Sequence, residues 1–400
     1  IKKKGKKMKI TKIDVMQVDC GSASNAAFRP VVCRIYTDSG IYGDGEAAIA
    51  YAKGSTAAFG MVQDLSSLVM GMDPLDNELI WEKMYKTSFW GQNGGPIVFA
   101  GMSAIDIALW DIKGKYYNTP VYKLLGGKVN SSLRCYASQL QFGWCEDKMS
   151  ALTTEDYVQY AKMAVDDGYD AIKIDFLTFD TSGRRFRFDE TNSKVSDKTL
   201  LLAVERIKAV REAVGEDVDL LVEVHAVLDL QGAIKFAKMI EPYHILYMEE
   251  PTTPDPNLTK KLYEKISIPI AHGERIYSRW QYMPYFQDGS LALIQPDIGN
   301  CGGITEAKKI CDLAHIFDVG VQMHVCASPL STAAALQLET AISNFTIHEH
   351  HVYNLHPYLK QLCIYDHQPV HGEYTVPELP GLGNELSEYC FLHSKRVTIE

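Results

Sequence analysis

Acidic side chains and a histidine recur at the ends of short apolar segments in the second half of the sequence. They are Glu223, Glu249, Glu274, Asp297, His324 and Glu349. Successive members are separated by about one strand and one helix. In a barrel of alternating strands and helices, the carboxyl ends of the strands build one shared active site. We therefore expect these side chains to converge on one mouth.

Three carboxylates of this set, those of Glu223, Glu249 and Glu274, would repel one another in a cleft of low dielectric constant. A hard divalent cation between them removes the repulsion, and ligation by oxygen with some positions left open suits Mg²⁺. Taken alone, each glutamate is better explained as a rim carboxylate that is hydrated or paired with a base. Because all three glutamates recur at the ends of successive predicted strands, together they favour a magnesium site.

The residues that position these side chains show strand and helix patterns in alternation. The predicted strands lie at 133–138, 171–176, 219–224, 245–250, 268–273, 292–297, 320–325 and 344–349. Between them lie helical segments long enough to cross back over a sheet. Eight such strands predict a closed barrel over residues 131–357.

The first third of the sequence has a different pattern. Alternating strands at 10–19 and 31–47, the second broken by a turn at 38–40, precede several segments of helical periodicity. This pattern predicts an α+β unit over residues 8–130. We expect the turn-rich residues 358–400 to pack back on it, and the basic residues 1–7 to be a leader or a disordered tail.

Composition excludes several classes of function. The formal net charge of −10 argues against binding of nucleic acid through clustered basic residues. No apolar run approaches the roughly 20 residues of a membrane helix, so we expect no membrane partner and a cytoplasmic protein. The nine cysteines lie in apolar segments without a CxxC pair, which predicts buried, reduced thiols.

Four motifs make the sequence resemble the enolase superfamily, in its mandelate racemase branch and among the acid-sugar dehydratases of that branch. They are YMEEP at 247–251, HGERIYSRW at 272–280, QPDIGNCGGITEAKKI at 295–310 and MHVCASPLSTAAALQLE at 323–339. The resemblance runs from Met8 to about Glu388. It implies an α/β fold, a TIM-like (β/α)7β barrel with an α+β capping domain built from the N-terminal region and the C-terminal tail. It also implies one Mg²⁺ and an enediolate intermediate.

The resemblance also implies roles for the residues at the strand ends. Glu223, Glu249 and Glu274 match the metal ligands, although relatives usually carry aspartate at the first position. His324 matches the base that removes the proton next to the substrate carboxylate. Asp297, one strand earlier, matches the carboxylate that orients this imidazole and raises its basicity.

Further residues near the same strand ends match residues that act on or contact the substrate in this family. His225, two residues beyond Glu223, resembles the general acid that helps the hydroxyl leave, with a packed histidine as the alternative. Glu349 resembles the acid that hydrogen-bonds the substrate carboxylate, and a surface carboxylate is the alternative. Lys173 is expected either to contact that carboxylate or to form a buried ion pair. Asp175, also expected at the substrate, replaces the second lysine of a KxK motif and favours dehydration over racemisation.

Two long loops, 139–153 and 177–196, are expected to hang over the mouth of the barrel. Arg184, Arg185 and Arg187 in the second loop either bind an anionic substrate or a partner subunit, or are hydrated. Substrate choice is also expected to depend on capping loops near 22–30 and 50–60, which carry no motif that indicates a particular sugar.

These observations favour a magnesium-dependent dehydratase that converts a sugar acid of the hexonate type into a 2-keto-3-deoxy sugar acid. One alternative is a racemase or epimerase that uses His225 and His324 as opposed acid and base on one carbon. Another is a sugar-acid binding protein without catalytic activity. We expect the chain to form a homo-oligomer.

Overall fold

The N-terminal third forms an antiparallel sheet covered by helices in this computed structural model, which describes residues 7–21, 28–147, 149–191 and 195–400. Its strands are β1 (Ile10–Val18), β2 (Val31–Thr37) and β3 (Tyr42–Ala47), and its helices are α1 (Ser55–Val69), α2 (Asn77–Thr87), α3 (Pro96–Tyr116) and α4 (Val121–Leu124). The predicted turn separates β2 from β3. The predicted leader lies outside the described residues except for Lys7.

Glycines in β3 allow α3 to lie directly on the sheet. A Cβ atom on Gly45 would lie 1.9 Å from the carbonyl oxygen of Ala104, so only glycine permits this approach. The last strand of the chain, β13 (Ser394–Ile399), pairs with β1, and the order in the sheet is β13-β1-β2-β3. The end of the chain therefore completes the sheet at its beginning.

A second, mostly parallel sheet carries the predicted strand ends. Its strands are β4 (Leu133–Ser138), β5 (Ala171–Asp175), β6 (Asp219–Glu223), β7 (Ile245–Glu249), β8 (Ile270–His272), β9 (Leu293–Ile294), β10 (Gly320–Val321) and β11 (His348–His351). They follow one another from β4 to β10, and β11 lies on the other side of β4, where β12 (Glu373–Tyr374) is also paired. A parallel bridge joins Val321 to Phe345, which precedes β11, so the sheet curls into a barrel-like shape.

Helices connect these strands and complete the chain. They are α5 (Thr154–Asp166), α6 (Phe188–Thr191), α7 (Asp197–Val214), α8 (Leu230–Ile240), α9 (Pro256–Tyr263), α10 (Arg279–Asp288), α11 (Gly303–Ile316), α12 (Pro329–Ala341), α13 (Pro357–Lys360) and α14 (Glu388–Leu392). Side-chain caps fix where several begin, because Thr153, Ser196 and Asp229 each accept a backbone N–H of the first turn. None of the helices in the described ranges is long and apolar enough to cross a membrane.

The later strands are shorter than predicted. Of the predicted strand 292–297, only β9 pairs with its neighbours as a regular strand, because Pro296 has no N–H to donate to the strand next to it. Beyond it, Asp297 and His324 are joined by an isolated parallel bridge. The predicted strand 344–349 is also displaced, since β11 begins at His348.

Buried polar contacts fix the N-terminal sheet on the barrel-like sheet. Glu46 at the end of β3 accepts hydrogen bonds from the backbone and hydroxyl of Ser328 and from the hydroxyl of Ser331, where α12 begins. Asp106 in α3 accepts the N–H and hydroxyl of Thr305 in α11. All nine cysteines are free thiols and seven are buried, in agreement with the prediction from their apolar surroundings.

Candidate active site

A buried lysine lies among three carboxylates at the carboxyl ends of the strands. The Nζ atom of Lys173 in β5 is 2.6 Å from Glu249, 3.0 Å from Glu349 and 3.5 Å from Glu223, and each of the four side chains is about 1% exposed. Of the two alternatives for Lys173, the structure shows the buried ion pair. Burial alone would lower the pKa of Lys173, but the three carboxylates raise it well above its usual range.

This cluster contains more negative than positive charge. Glu223 and Glu249 are direct neighbours across β6 and β7. Burial, and next the charge of Glu223, raise the pKa of Glu249 above its usual range. Because one ammonium faces three carboxylates in a dry environment, the oxygen ligands fit an additional hard cation such as Mg²⁺.

Glu274, the third predicted ligand, makes other contacts. One carboxylate oxygen is 2.9 Å from Nε2 of His324, and the other pairs with Arg275. Within the described ranges, no group of three or more histidine, cysteine, aspartate or glutamate side chains is arranged to hold a metal ion. The structure thus brings Glu223 and Glu249 together at Lys173 and brings Glu274 to His324. The assignment of all three as ligands stays a prediction.

His324 and Asp297 form the first of two carboxylate–imidazole pairs. Nδ1 of His324 donates to Asp297 over 2.7 Å, and the bridge between these residues holds their backbones side by side. The other oxygen of Asp297 accepts the N–H of Gly299, which fixes the carboxylate. Burial would lower the pKa of His324, but the hydrogen bond to Asp297 and the nearby charge of Glu349 raise it to about 10. The other ring nitrogen, Nε2, faces Glu274.

His225 and Asp175 form the second pair. Nδ1 of His225 donates to Asp175 over 2.7 Å, and the other oxygen of Asp175 accepts the N–H of Leu177. His225 has φ 50°, in the left-handed region, and its N–H donates to Glu223 over 2.7 Å. Burial would lower the pKa of His225, but the charge of Glu223 and the bond to Asp175 raise it. Asp175, expected at the substrate, thus contacts His225 directly.

Glu349 connects the lysine cluster to the neighbouring strands. One carboxylate oxygen accepts the hydroxyl of Ser138 over 2.6 Å, and the other accepts the N–H of Val325 over 2.9 Å. Burial would raise the pKa of Glu349, but Lys173 and, to a smaller extent, His324 hold it well below its usual range. The carboxylate is fully buried, whereas the alternative was a surface carboxylate. Its contact with a substrate stays a prediction.

A cavity of about 450 Å³ opens above these residues. Its wall includes both imidazoles and Glu274, and Tyr51 reaches it from the N-terminal unit. The volume lies within the roughly 300–1,000 Å³ typical of small-molecule sites. Arg185 also lines the cavity. The capping loop near 22–30 lies outside the described residues up to residue 27.

Sequence reasoning missed several residues of the site. Ser138 ends β4, and Gln295 follows β9 and donates to Glu249. Both are polar residues at the carboxyl ends of strands. The sequence analysis considered only acidic side chains and histidine at these positions, and a search that included hydroxyl and amide side chains would have found both. Arg275 lies in the quoted GER segment and lines the cavity, but its contacts with Glu250 and Glu274 were not foreseen.

Comparison with known families gives two matches. Residues 8–126 match the N-terminal domain of mandelate racemase / muconate lactonizing enzymes, and residues 156–390 match the enolase C-terminal domain-like family. Together they span most of the chain, and they confirm the resemblance predicted from the four motifs.

Individual proteins are similar over nearly the whole chain. A D-galactonate dehydratase of Pectobacterium atrosepticum is 32% identical over 387 residues, which are 95% of this chain and 93% of the relative. A D-xylonate dehydratase of Haloferax volcanii is 31% identical and covers 89% of this chain and 83% of its own length. A crystal structure of a member of the enolase superfamily from Salmonella Typhimurium is 51% identical, with a TM-score of 0.95, covering 98% of this chain and 100% of that one.

Proposed function

The chain belongs to the mandelate racemase / muconate lactonizing enzyme family of the enolase superfamily, and on this premise we propose that it dehydrates a sugar acid with the help of Mg²⁺. The product is a 2-keto-3-deoxy sugar acid. Relatives of this chain are dehydratases of D-galactonate and D-xylonate, which supports acid-sugar dehydration as the reaction class. We further propose that the curled sheet is the (β/α)7β barrel of this superfamily.

One observation carries the proposal. Two imidazoles line the wall of one cavity, and Nδ1 of each is hydrogen-bonded to an aspartate over 2.7 Å. In each ring, Nε2 therefore points away from the aspartate. A reaction that removes one proton and delivers another needs two such groups. Dehydration is this kind of reaction, because a proton leaves one carbon and a hydroxyl must be protonated on the next.

His324 is the proposed base. Its Nε2 accepts the proton next to the substrate carboxylate, and Asp297 holds the ring and stabilises the imidazolium that forms. Nε2 lies 2.9 Å from a carboxylate oxygen of Glu274, and the pKa of His324 is raised to about 10. Nε2 must therefore lose its proton and this contact before it can accept the proton of the substrate.

His225 is the proposed acid. Its Nε2 delivers a proton to the hydroxyl on the neighbouring carbon, so that water leaves and the resulting enol becomes the keto acid. Asp175 accepts the Nδ1 proton in a hydrogen bond and stabilises the imidazolium form of His225, in which Nε2 carries the proton to be delivered. These steps balance, since one proton is removed, one is supplied and one water is released.

The substrate carboxylate is proposed to bind near Lys173 and Glu349. When bound, Mg²⁺ held by Glu223, Glu249 and Glu274 would neutralise the negative charge that builds up on this carboxylate as the proton leaves. Lys173, which is paired with Glu249 at 2.6 Å, would add a fixed positive charge near the substrate carboxylate. A homo-oligomer in the cytoplasm, without nucleic-acid partners, remains our expectation for the assembled protein.

The two similar imidazole pairs also suit a racemase or epimerase that acts on one carbon. The two reactions differ in their products, since epimerisation yields a diastereomer and no keto acid. The decisive experiment is a screen of five- and six-carbon aldonates and aldarates with Mg²⁺, in which keto acids are detected as semicarbazones. We expect keto acid from at least one acid, and its loss when EDTA removes the metal. A diastereomer without keto acid would favour the epimerase, and no product from any acid would reject both reactions.

A further inference from the structure

The loop after β5 forms a small hairpin at the rim of the cavity. Phe179 and Arg185 form an antiparallel bridge, the N–H of Asp180 donates to the carbonyl of Arg184 over 2.9 Å, and the N–H of Phe186 donates to Thr178 over 3.1 Å. Arg206, which is buried, donates to the carbonyls of Phe176 and Phe179 and supports the hairpin from below. The arginines of this loop are therefore held by regular backbone contacts.

Two adjacent arginines of the hairpin have different environments. Arg184 pairs with Asp180 and Glu190, each at 2.8 Å, and does not line the cavity. Arg185 lines the cavity and, among the described residues, has no carboxylate partner. The positive charge of Arg184 is thus neutralised within the loop, whereas that of Arg185 is available to the cavity.

The guanidinium of Arg185, which is an exposed residue, is in contact with neutral groups. It donates to the hydroxyl of Tyr51 over 3.0 Å, and it lies 5.3 Å and 5.8 Å from the ring centres of Phe142 and Phe179. One donor is used by Tyr51, and a guanidinium has five. Because the aromatic rings and the tyrosine orient the group without cancelling its charge, the remaining donors are organised in advance for an anion.

The proposed reaction already accounts for one carboxylate of the substrate, which lies near Lys173 and the two imidazoles. Arg185 contacts Tyr51, Phe142 and Phe179, and among the described residues it contacts neither imidazole nor Lys173. A guanidinium in this position matches a second planar anion on the same ligand, since arginine binds carboxylates through two parallel N–H bonds. A single guanidinium also balances the single charge of a carboxylate better than the double charge of a phosphate.

We propose that Arg185 and Tyr51 form a subsite for the distal carboxylate of the substrate, so that the preferred substrate is an aldarate, a sugar acid with a carboxylate at both ends. This inference rests on the proposed dehydration and narrows its substrate class. It differs from the monocarboxylic acids for which the two relatives above are named. The subsite joins the loop after β5, whose arginines were expected either to bind an anion or a partner subunit or to be hydrated, to the capping loop near 50–60, which carries no motif that indicates a particular sugar.

The test compares acids that differ only at the distal end, namely galactarate with D-galactonate and D-glucarate with D-gluconate. We expect kcat/KM to favour the aldarate of at least one pair. Arg185→Met lowers the aldarate-to-aldonate ratio of kcat/KM by about 10- to 100-fold, the size of a lost hydrogen bond to a charged group. Tyr51→Phe lowers it less. The matched control is Arg184→Met, which changes the ratio by at most about twofold, because its exposed ion pairs lie outside the cavity.

Several outcomes would overturn the subsite. They are a wild-type preference for the aldonate of both pairs, a preference for 6-phosphogluconate over both acids of its pair, and an equal loss on aldarate and aldonate in Arg185→Met. If no acid yields a keto acid, the proposed dehydration is rejected, but the subsite can still be tested. The test is then the binding of galactarate and D-galactonate to the wild type and to Arg185→Met, measured by calorimetry. Tighter binding of galactarate that Arg185→Met abolishes would support the subsite, and equal affinities would reject it.

Discussion

The two carboxylate–imidazole pairs look alike in their hydrogen bonds and differ in how they are held. In both, Nδ1 donates to an aspartate over 2.7 Å. The side chain of His324 is 14% exposed and has Nε2 within 2.9 Å of Glu274, whereas that of His225 is 32% exposed. His324 lies on a regular parallel bridge, but His225 has φ 50° and is followed by Ala226 at φ 57°.

This difference suggests why one pair suits proton removal and the other suits loss of water. A base must keep its position against a weakly acidic C–H group, and His324 is fixed by its backbone bridge and by the hydrogen bond from Nδ1 to Asp297. An acid that releases water benefits from the more open position of His225. Its unusual backbone costs on the order of 1 kcal/mol, which the hydrogen bond from its N–H to Glu223 helps to offset.

The largest effect is expected for the base. His324→Asn removes the proton acceptor, so kcat for keto-acid formation falls by about 10³- to 10⁴-fold. Exchange of the substrate α-proton with solvent deuterium, followed by NMR, stops as well. Binding of Mg²⁺, measured by calorimetry, is retained because His324 is not among the proposed ligands. Turnover near the wild-type rate would show that another group is the base.

His225→Asn separates the two histidines. Keto-acid formation is expected to fall by about 10²- to 10³-fold, while exchange of the α-proton with deuterium continues because His324 is intact. The ratio of exchange to water loss therefore rises, in contrast to His324→Asn, where both stop. Loss of exchange together with dehydration would indicate that the two histidines do not divide the reaction as proposed.

The aspartates allow a more sensitive comparison. Asp175→Asn and Asp297→Asn each keep the shape of the carboxylate and remove its charge, and we expect losses of about 10- to 100-fold in kcat, as for other carboxylates that orient an imidazole through its second nitrogen. Asp175→Asn slows water loss more than exchange, and Asp297→Asn slows both equally. If the two variants showed the same ratio of exchange to water loss, the aspartates would not act through different histidines.

A third histidine, His350, has no carboxylate partner among the described residues, and it shows how burial changes the pKa of an imidazole. His350 is buried and shares a hydrogen bond with Tyr169, and burial, with a smaller effect of the charge of His348, lowers its pKa to about 3. A histidine whose pKa is lowered by folding stabilises the protein above the pKa of the unfolded chain, about 6.5. This stability is lost as the pH falls from about 6.5 towards 3, because the unfolded chain takes up the proton first.

We therefore expect His350 to contribute to acid destabilisation. Between pH 7 and pH 5 its share of the loss in unfolding free energy is about 2 kcal/mol. His350→Gln should reduce the loss by a similar amount, as measured by denaturant unfolding at several pH values. His393→Gln, at an exposed histidine, is the control variant. An identical pH dependence in both variants would mean that His350 is protonated in the folded protein.

Much of the fold and part of the site followed from local patterns. The alternation of apolar residues predicted the strands of the N-terminal sheet, and alternating strands and helices predicted the curled parallel sheet. The phase of polar residues at strand ends predicted that six side chains converge on one mouth. Of these, Glu223, Glu249 and Glu349 meet around Lys173, whereas Glu274 contacts His324. The observed limits of β9, β10 and β11 differ from the predicted limits, because the length of a strand depends on which neighbouring strand supplies its hydrogen bonds.

The sequence by itself determined which residues meet at one mouth, because parallel strands point their carboxyl ends in one direction and a strand has a period of two. Only the tertiary structure decided which of them touch. Lys173 could have faced a substrate or a carboxylate, and Arg185 could have been hydrated or have faced the cavity. The contact of Arg185 with Tyr51 joins residues 134 apart in sequence. Such contacts depend on loop paths and side-chain rotamers, and no local pattern encodes these.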